Sequence, residues 1–191
     1  MPRQADPELE GRILDAADKL WRQGGEKALT MRAVAKAART NTPAVYRRFK
    51  DREDLIRGLL QRFVARLRSY FEQTKTLEGM AEAYLKFALD MPTEYQLFYR
   101  YGPLLNPSGK PGRRRRPIAE SRPNFELVQR AAARQLGGAP EDYTEMVFQL
   151  WSLLHGMAML LLSKSVPAGY EGELRQAGRS AVKLLIANAT K

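Results

Sequence analysis

The apolar residues of this chain recur at intervals of three and four and nowhere alternate, which confines the chain to helices. Leu9, Ile13, Ala16, Ala17, Leu20 and Trp21 form a first stripe, and Leu55, Leu59, Phe63, Leu67 and Tyr70 a longer one. No hairpin dipeptide stands between strand-like runs, and no internal repeat is present. The expected fold is all-α, with about nine helices. They fall near 9–24, 30–37, 42–49, 52–71, 77–90, 92–99, 124–136, 141–163 and 172–189.

The helix ends are written in the chain. Gly24-Gly25 is expected to close the first helix, as glycine does beyond a C-terminus. Thr30 can cap the second. Asn41 or Thr42 can cap the third, where Pro43 sacrifices no hydrogen bond in the first turn. Asp51, Glu53 and Asp54 put negative charge at the start of the fourth. Residues 102–123 hold five prolines, three glycines and the run Arg113, Arg114, Arg115 and Arg116, the composition of a long loop. A chain of 191 residues suits one domain with a small appended module, here divided at 1–53 and 54–191.

Charge narrows the partners. Lys and Arg number 32 against 21 Asp and Glu, a net charge of +11. Residues 1–60 carry 13 basic against 9 acidic side chains, and residues 100–122 carry seven against Glu120 alone. Such an excess points to nucleic acid or another polyanion. The chain has no cysteine and one histidine, which excludes disulfide scaffolds and thiolate metal sites and argues against histidine-dependent catalysis. No Gly-x-Ser-x-Gly elbow, phosphate-binding glycine loop or metal-ligand cluster occurs. The expectation is a non-enzyme with neither cofactor nor metal. The longest nearly apolar run, 156–162, is far short of the roughly 20 residues a bilayer span needs, and residues 1–12 contain no apolar stretch. A soluble cytoplasmic protein without a membrane partner is expected.

The most informative segment is the pair of short helices near 30–37 and 42–49. Joined by a brief turn and preceded by a longer helix, they have the outline of a helix-turn-helix, whose second helix enters the major groove of DNA. Val45 and Phe49 share a face at i,i+4 and should pack inward, leaving Tyr46, Arg47 and Arg48 outward. Tyr and Arg suit phosphate oxygens, and Arg also reads guanine edges. Two arginines on a short helix equally describe a solvated face. The order of caps, breaks and apolar positions favours the functional reading.

The stretch 29–56, LTMRAVAKAARTNTPAVYRRFKDREDLI, resembles the DNA-binding motif of tetracycline-repressor-type (TetR family) regulators, through Thr30, Val34-Ala35, Ala38, Val45-Tyr46, Phe49, Arg52 and Leu55. The segment 12–17, RILDAA, resembles that family's first helix. The resemblance implies that Thr30 and Tyr46 hold phosphates and that Arg32 reaches a base or a phosphate. It implies that Thr42, Pro43, Ala44 and Arg47 lie against the groove, and that Arg48 and Arg52 bind the backbone. The chain departs from the family at the turn, with Arg39 where glycine is usual and Thr40 where valine is usual. A non-glycine residue in left-handed geometry costs about 1–2 kcal/mol. Either the turn differs here, or Arg39 makes a compensating contact, with DNA as one candidate.

The helix near 141–163 is apolar almost all round, with Gln149, Ser152 and His155 as its interior polar side chains, and should be buried on more than one face. Ser152 and Gly156 on it, and Ala177, Gly178 and Ala181 on the last helix, permit close helix approach. They can pack within one subunit or against a second copy. The family resemblance implies the latter, a homodimer through 141–163 and 172–189. Such a dimer would offer two recognition helices to half-sites about one turn of double-stranded DNA, roughly 34–36 Å, apart. The segment 150–156, LWSLLHG, resembles the Trp…His-Gly signature of one subgroup of the family, and 92–98 fits it as well.

A small-molecule pocket could draw on Tyr84, Phe87, Met91, Phe98, Tyr99, Phe125, Trp151, His155 and Met159, residue types that describe a core equally well. No acidic side chain is evident on the apolar faces of this half, so a neutral or anionic effector is expected over a cation. The functional expectation is a homodimeric, ligand-responsive repressor on an inverted-repeat operator. The alternative is an architectural, weakly specific DNA binder without an effector.

Overall fold

The computed structural model describes residues 8–105, 118 and 122–189. Among them lie nine α-helices and no strand. These are α1 (Leu9–Ala28), α2 (Met31–Ala37), α3 (Thr42–Arg48), α4 (Arg52–Glu72), α5 (Leu77–Asp90), α6 (Pro92–Tyr101), α7 (Pro123–Leu136), α8 (Thr144–Leu162) and α9 (Glu171–Asn188). Short 3-10 turns, Gly102–Leu105 and Pro140–Tyr143, follow α6 and precede α8. Arg113, Arg114, Arg115 and Arg116 lie outside the described residues.

Helix ends follow local chemistry. Thr30 Oγ1 accepts from the Ala33 amide at 3.2 Å, and Asn41 Oδ1 from the Ala44 amide at 2.8 Å. Asn41, rather than Thr42, is therefore the cap of α3, and Pro43 sits in its first turn. Asp51 Oδ1 accepts from the Asp54 amide at 2.8 Å and starts α4. Gly25 kinks α1 rather than closing it, with φ 59° and ψ −147°, a conformation closed to L side chains. Helical geometry resumes beyond it as far as Ala28.

The chain forms two compact units, Met1–Phe63 with Thr93–Gly109, and Val64–Pro92 with Lys110–Lys191. In the first unit, Ile13 and Ala17 of α1, Leu29, Val34 of α2, Val45 of α3, and Leu55, Ile56 and Leu60 of α4 are sealed from solvent. Arg62 ties α4 to α1 through Asp15 at 2.6 Å and the Gly11 carbonyl at 3.0 Å. α6 joins this unit because its apolar residues find their partners there. Phe98 stacks on Phe63 with centroids 4.1 Å apart, and Trp21 meets Tyr101 edge-on at 5.9 Å. Glu94, buried among them, pairs with Arg22 at 2.5 Å.

The second unit packs α5 against α7, α8 and α9. Leu77, Met80, Tyr84, Leu85 and Phe87 of α5 are buried with Phe125 of α7, Leu150, Leu154 and Met157 of α8, and Val182 and Ile186 of α9. The Gln135 side chain accepts from the Leu77 amide at 2.8 Å, and Gln129 donates to Thr144 Oγ1 at 2.9 Å. By length and hydropathy the stretch Pro140–Leu162 would suffice to cross a bilayer. Here Met146, Val147, Leu150, Leu154, Met157 and Ala158 of that stretch are core residues of the helical unit. Among the described residues, Phe148, Met159 and Leu160 on its other side are exposed, as is Leu184 on α9.

Candidate nucleic-acid interface

The turn between α2 and α3 is closed by backbone bonds. Ala38 ends α2, the Arg39 amide donates to the Lys36 carbonyl at 3.2 Å, and the Thr40 amide to the Ala35 carbonyl at 2.9 Å. This is a Schellman closure, which requires a left-handed residue at its centre. Arg39 occupies that position with φ 54°. The expected alternative of a different turn is thus removed: the geometry is kept and an arginine is held in it.

α3 is oriented by its inward face. Ala44, Val45 and Phe49 are buried, and Tyr46, Arg47 and Arg48 are left exposed, with Tyr46 at 51%. On α2, Arg32 and Lys36 are exposed one turn apart. Between Lys27 and Lys50 the sequence carries seven Lys and Arg residues and no Asp or Glu, so no carboxylate of this segment competes with phosphate for those cations. Two helix N-termini, at Thr30 and Asn41, lie in the same segment and add backbone dipoles of the same sign.

Ala44 and Arg52, both expected at the groove, also make contacts within the first unit. Ala44 is 4% exposed and packs inward with Val45, so it sets the depth of α3 rather than presenting a surface. Arg52 is turned back on its own unit. Its Nε donates to the Leu29 carbonyl at 2.9 Å and Nη2 to the Glu26 carbonyl at 3.1 Å. The Leu29 carbonyl lies between α1 and α2, and the Glu26 carbonyl, in the last turn of α1, also accepts from the Leu29 amide at 3.2 Å; the guanidinium adds a charged donor to both. Glu26 also pairs with Arg100 at 2.8 Å. A hydrogen bond from Tyr101, then Arg100 and Arg52, holds the Glu26 carboxyl below its ordinary range.

The nine residues expected to line a pocket are not gathered in one unit. Phe98 and Tyr99 belong to the first, and Tyr84, Phe87, Met91, Phe125, Trp151, His155 and Met159 to the second. Tyr84, Phe87, Phe98 and Phe125 are core residues, whereas Met159 is 40% exposed. Phe125, Phe148 and Trp151 form an aromatic cluster with centroids 4.8–6.5 Å apart, and the Arg122 guanidinium lies 5.9 Å from the centre of the Trp151 ring. Burial lowers the pKa of His155. A hollow of about 230 Å³ in the second unit is lined by none of the nine; Glu78, Glu82, Leu154, Arg179 and Lys183 are among the residues around it. Sequence reading missed these carboxylates. Their only signal was the i,i+4 pairing of Glu78 with Glu82 and of Arg179 with Lys183, which any solvated helix shows. Glu94 is a third acidic residue the expectation overlooked, paired where it lies with Arg22.

Among the described residues no group of three or more His, Cys, Asp or Glu side chains could hold a metal ion.

Residues 13–59 match the TetR family of bacterial regulatory proteins, and residues 77–185 match the tetracyclin repressor-like C-terminal domain. No curated protein matches the chain. Among solved structures, a protein of unknown function from Rhodococcus sp. RHA1 is 19% identical with a TM-score of 0.70, covering 100% of both chains. The multidrug-binding protein EbrR complexed with ethidium is 19% identical with a TM-score of 0.63, covering 95% of this chain and 99% of its own. A TetR variant from Acinetobacter baumannii AYE in complex with minocycline is 18% identical with a TM-score of 0.60, covering 97% and 96%. These three share the fold. The two family matches together span most of the chain, and the chain belongs to the TetR family, a DNA-binding transcriptional regulator.

Proposed function

We propose that the protein is a cytoplasmic homodimeric repressor that binds an inverted-repeat operator and is released by a small-molecule effector, with no enzymatic role. The observation that carries the reading is the outward face of α3, where Tyr46, Arg47 and Arg48 stand exposed in a segment without carboxylates. Arg47 reads a base edge. Thr30, Arg32, Tyr46 and Arg48 hold phosphates, with Thr42 and Pro43 against the groove wall.

The dimer is supported by the uncovered apolar side of α8 and α9, where Phe148, Met159, Leu160 and Leu184 are exposed. A Cβ built on Gly156 meets nothing within 4 Å, so this glycine faces open space and leaves room for a partner helix. Gly178 instead packs within the chain, where an added Cβ would collide with the Met157 side chain.

Ethidium and minocycline in two proteins of the same fold support an effector. For this chain we place its contacts at Phe125, Trp151 and His155. Arg122 beside Trp151 favours a neutral or anionic planar molecule. An effector that weakens operator binding must itself bind less well to the operator complex.

The test is selection of bound fragments from random duplex DNA at near-physiological salt, followed by sequencing. An enriched inverted repeat is expected. Binding that enriches nothing and vanishes as salt rises would replace this reading with an architectural one.

A further inference from the structure

We propose that Arg39, at the turn between α2 and α3, is a phosphate-binding residue of the DNA interface. The inference rests on the DNA-binding role of this module. It starts from a strained backbone. Arg39 has φ 54°, and the turn demands that geometry because the Arg39 and Thr40 amides both close onto α2. Glycine would hold the turn without strain. An arginine kept in such a position needs an offsetting contact.

Among the described residues there is none to find. Among the described residues Arg39 makes no side-chain hydrogen bond and no ion pair, and it is exposed. Its neighbours point the same way. Arg32 and Lys36 are exposed at i,i+4 on α2, and Arg39 follows three residues on, so three cations run along the outer side of the first helix of the motif and into its turn. In a helix-turn-helix the first helix crosses the sugar-phosphate backbone while the second enters the groove. Arg39 also lies two residues before the Asn41 cap of α3, the end of the recognition helix that approaches the bases. A cation there meets phosphate oxygens, the one partner of opposite charge that a DNA-bound module supplies.

The experiment compares the wild-type chain with R39G, R39A and R39K on a mixed-sequence duplex of about 30 base pairs, since a phosphate contact is independent of sequence. R39G is expected to raise the melting midpoint by about 2–4 °C, because the strain is relieved. The same variant is expected to weaken DNA binding about five- to tenfold per bound chain near 0.1 M salt, and to lower the slope of log affinity against log salt by about 0.9. R39A should lose affinity in the same way without the gain in stability. R39K should keep the wild-type salt slope. Undiminished affinity and an unchanged slope in R39G overturn the proposal. Wild-type binding with no salt dependence would instead remove the DNA-binding reading on which it stands.

Discussion

Arg47, Arg48 and Arg52 lie within six positions of one another and are chemically identical, yet their surroundings separate them. Arg47 and Arg48 project from α3, while Arg52 satisfies the Leu29 and Glu26 carbonyls. Arg47→Ala is expected to change the base preference in a selection experiment. Arg48→Ala is expected to weaken binding evenly across sequences. Equal losses at every base position for both would remove the base-reading role of Arg47. Arg52→Ala is expected to act on the fold instead. Leaving two carbonyls without their charged donor at a part-exposed site costs about 1 kcal/mol, read as a lower denaturant midpoint with an unchanged m-value. Tm and affinity falling together, with affinity restored once the protein is kept below its transition, would place Arg52 there.

At the scale of elements, what the chain writes locally could be read locally. Thr30 and Asn41 announce helix starts through side-chain caps, and each does so in the structure, whereas Gly25 marks a kink within α1. Partnership between distant segments is not written that way. That α6 belongs with α1 depends on Trp21 meeting Tyr101 and Arg22 meeting Glu94, pairs about 70 or more positions apart whose periodicity carries no address. Ala44 illustrates the limit within one helix: a small residue at the start of α3 fits a groove wall and a core equally, and only the packing of Val45 beside it decides. α8 adds a consequence for pH. Burial depresses the pKa of His155 below its ordinary 6.5, so the folded chain resists a proton that the unfolded chain accepts. Stability contributed by neutral His155 is complete above about pH 6.5 and is lost as pH falls from there towards the lower, folded value. Thermal melts at pH 7.5 and 5.5 should show a larger decrease for wild type than for His155→Gln. Equal decreases would show that His155 is not the titrating group.

For the whole molecule, the decisive question is what covers the apolar side of α8 and α9. A helix that is apolar nearly all round has more than one face to bury, and the described residues bury one. Phe148, Met159, Leu160 and Leu184 remain in solvent on the two helices, and contiguous exposed apolar surface marks an association site. The second copy proposed above would be self-complementary by symmetry and would bring two α3 helices to one duplex. Leu184, at 65% exposed, takes no part in the core, so a charge there should leave the subunit folded. Leu184→Glu is therefore expected to keep the wild-type helical circular dichroism while shifting the protein from dimer to monomer in light scattering at micromolar concentration. Two unlinked α3 helices lose the effective concentration that linkage provides, so affinity for an inverted-repeat duplex should fall by about a hundredfold or more. Affinity for a single half-site should stay within a few-fold of wild type. A dimer that survives Leu184→Glu and Leu160→Glu together would exclude this face as the subunit interface. A monomeric variant that still binds the inverted repeat at full strength would show that subunit association does not set operator affinity.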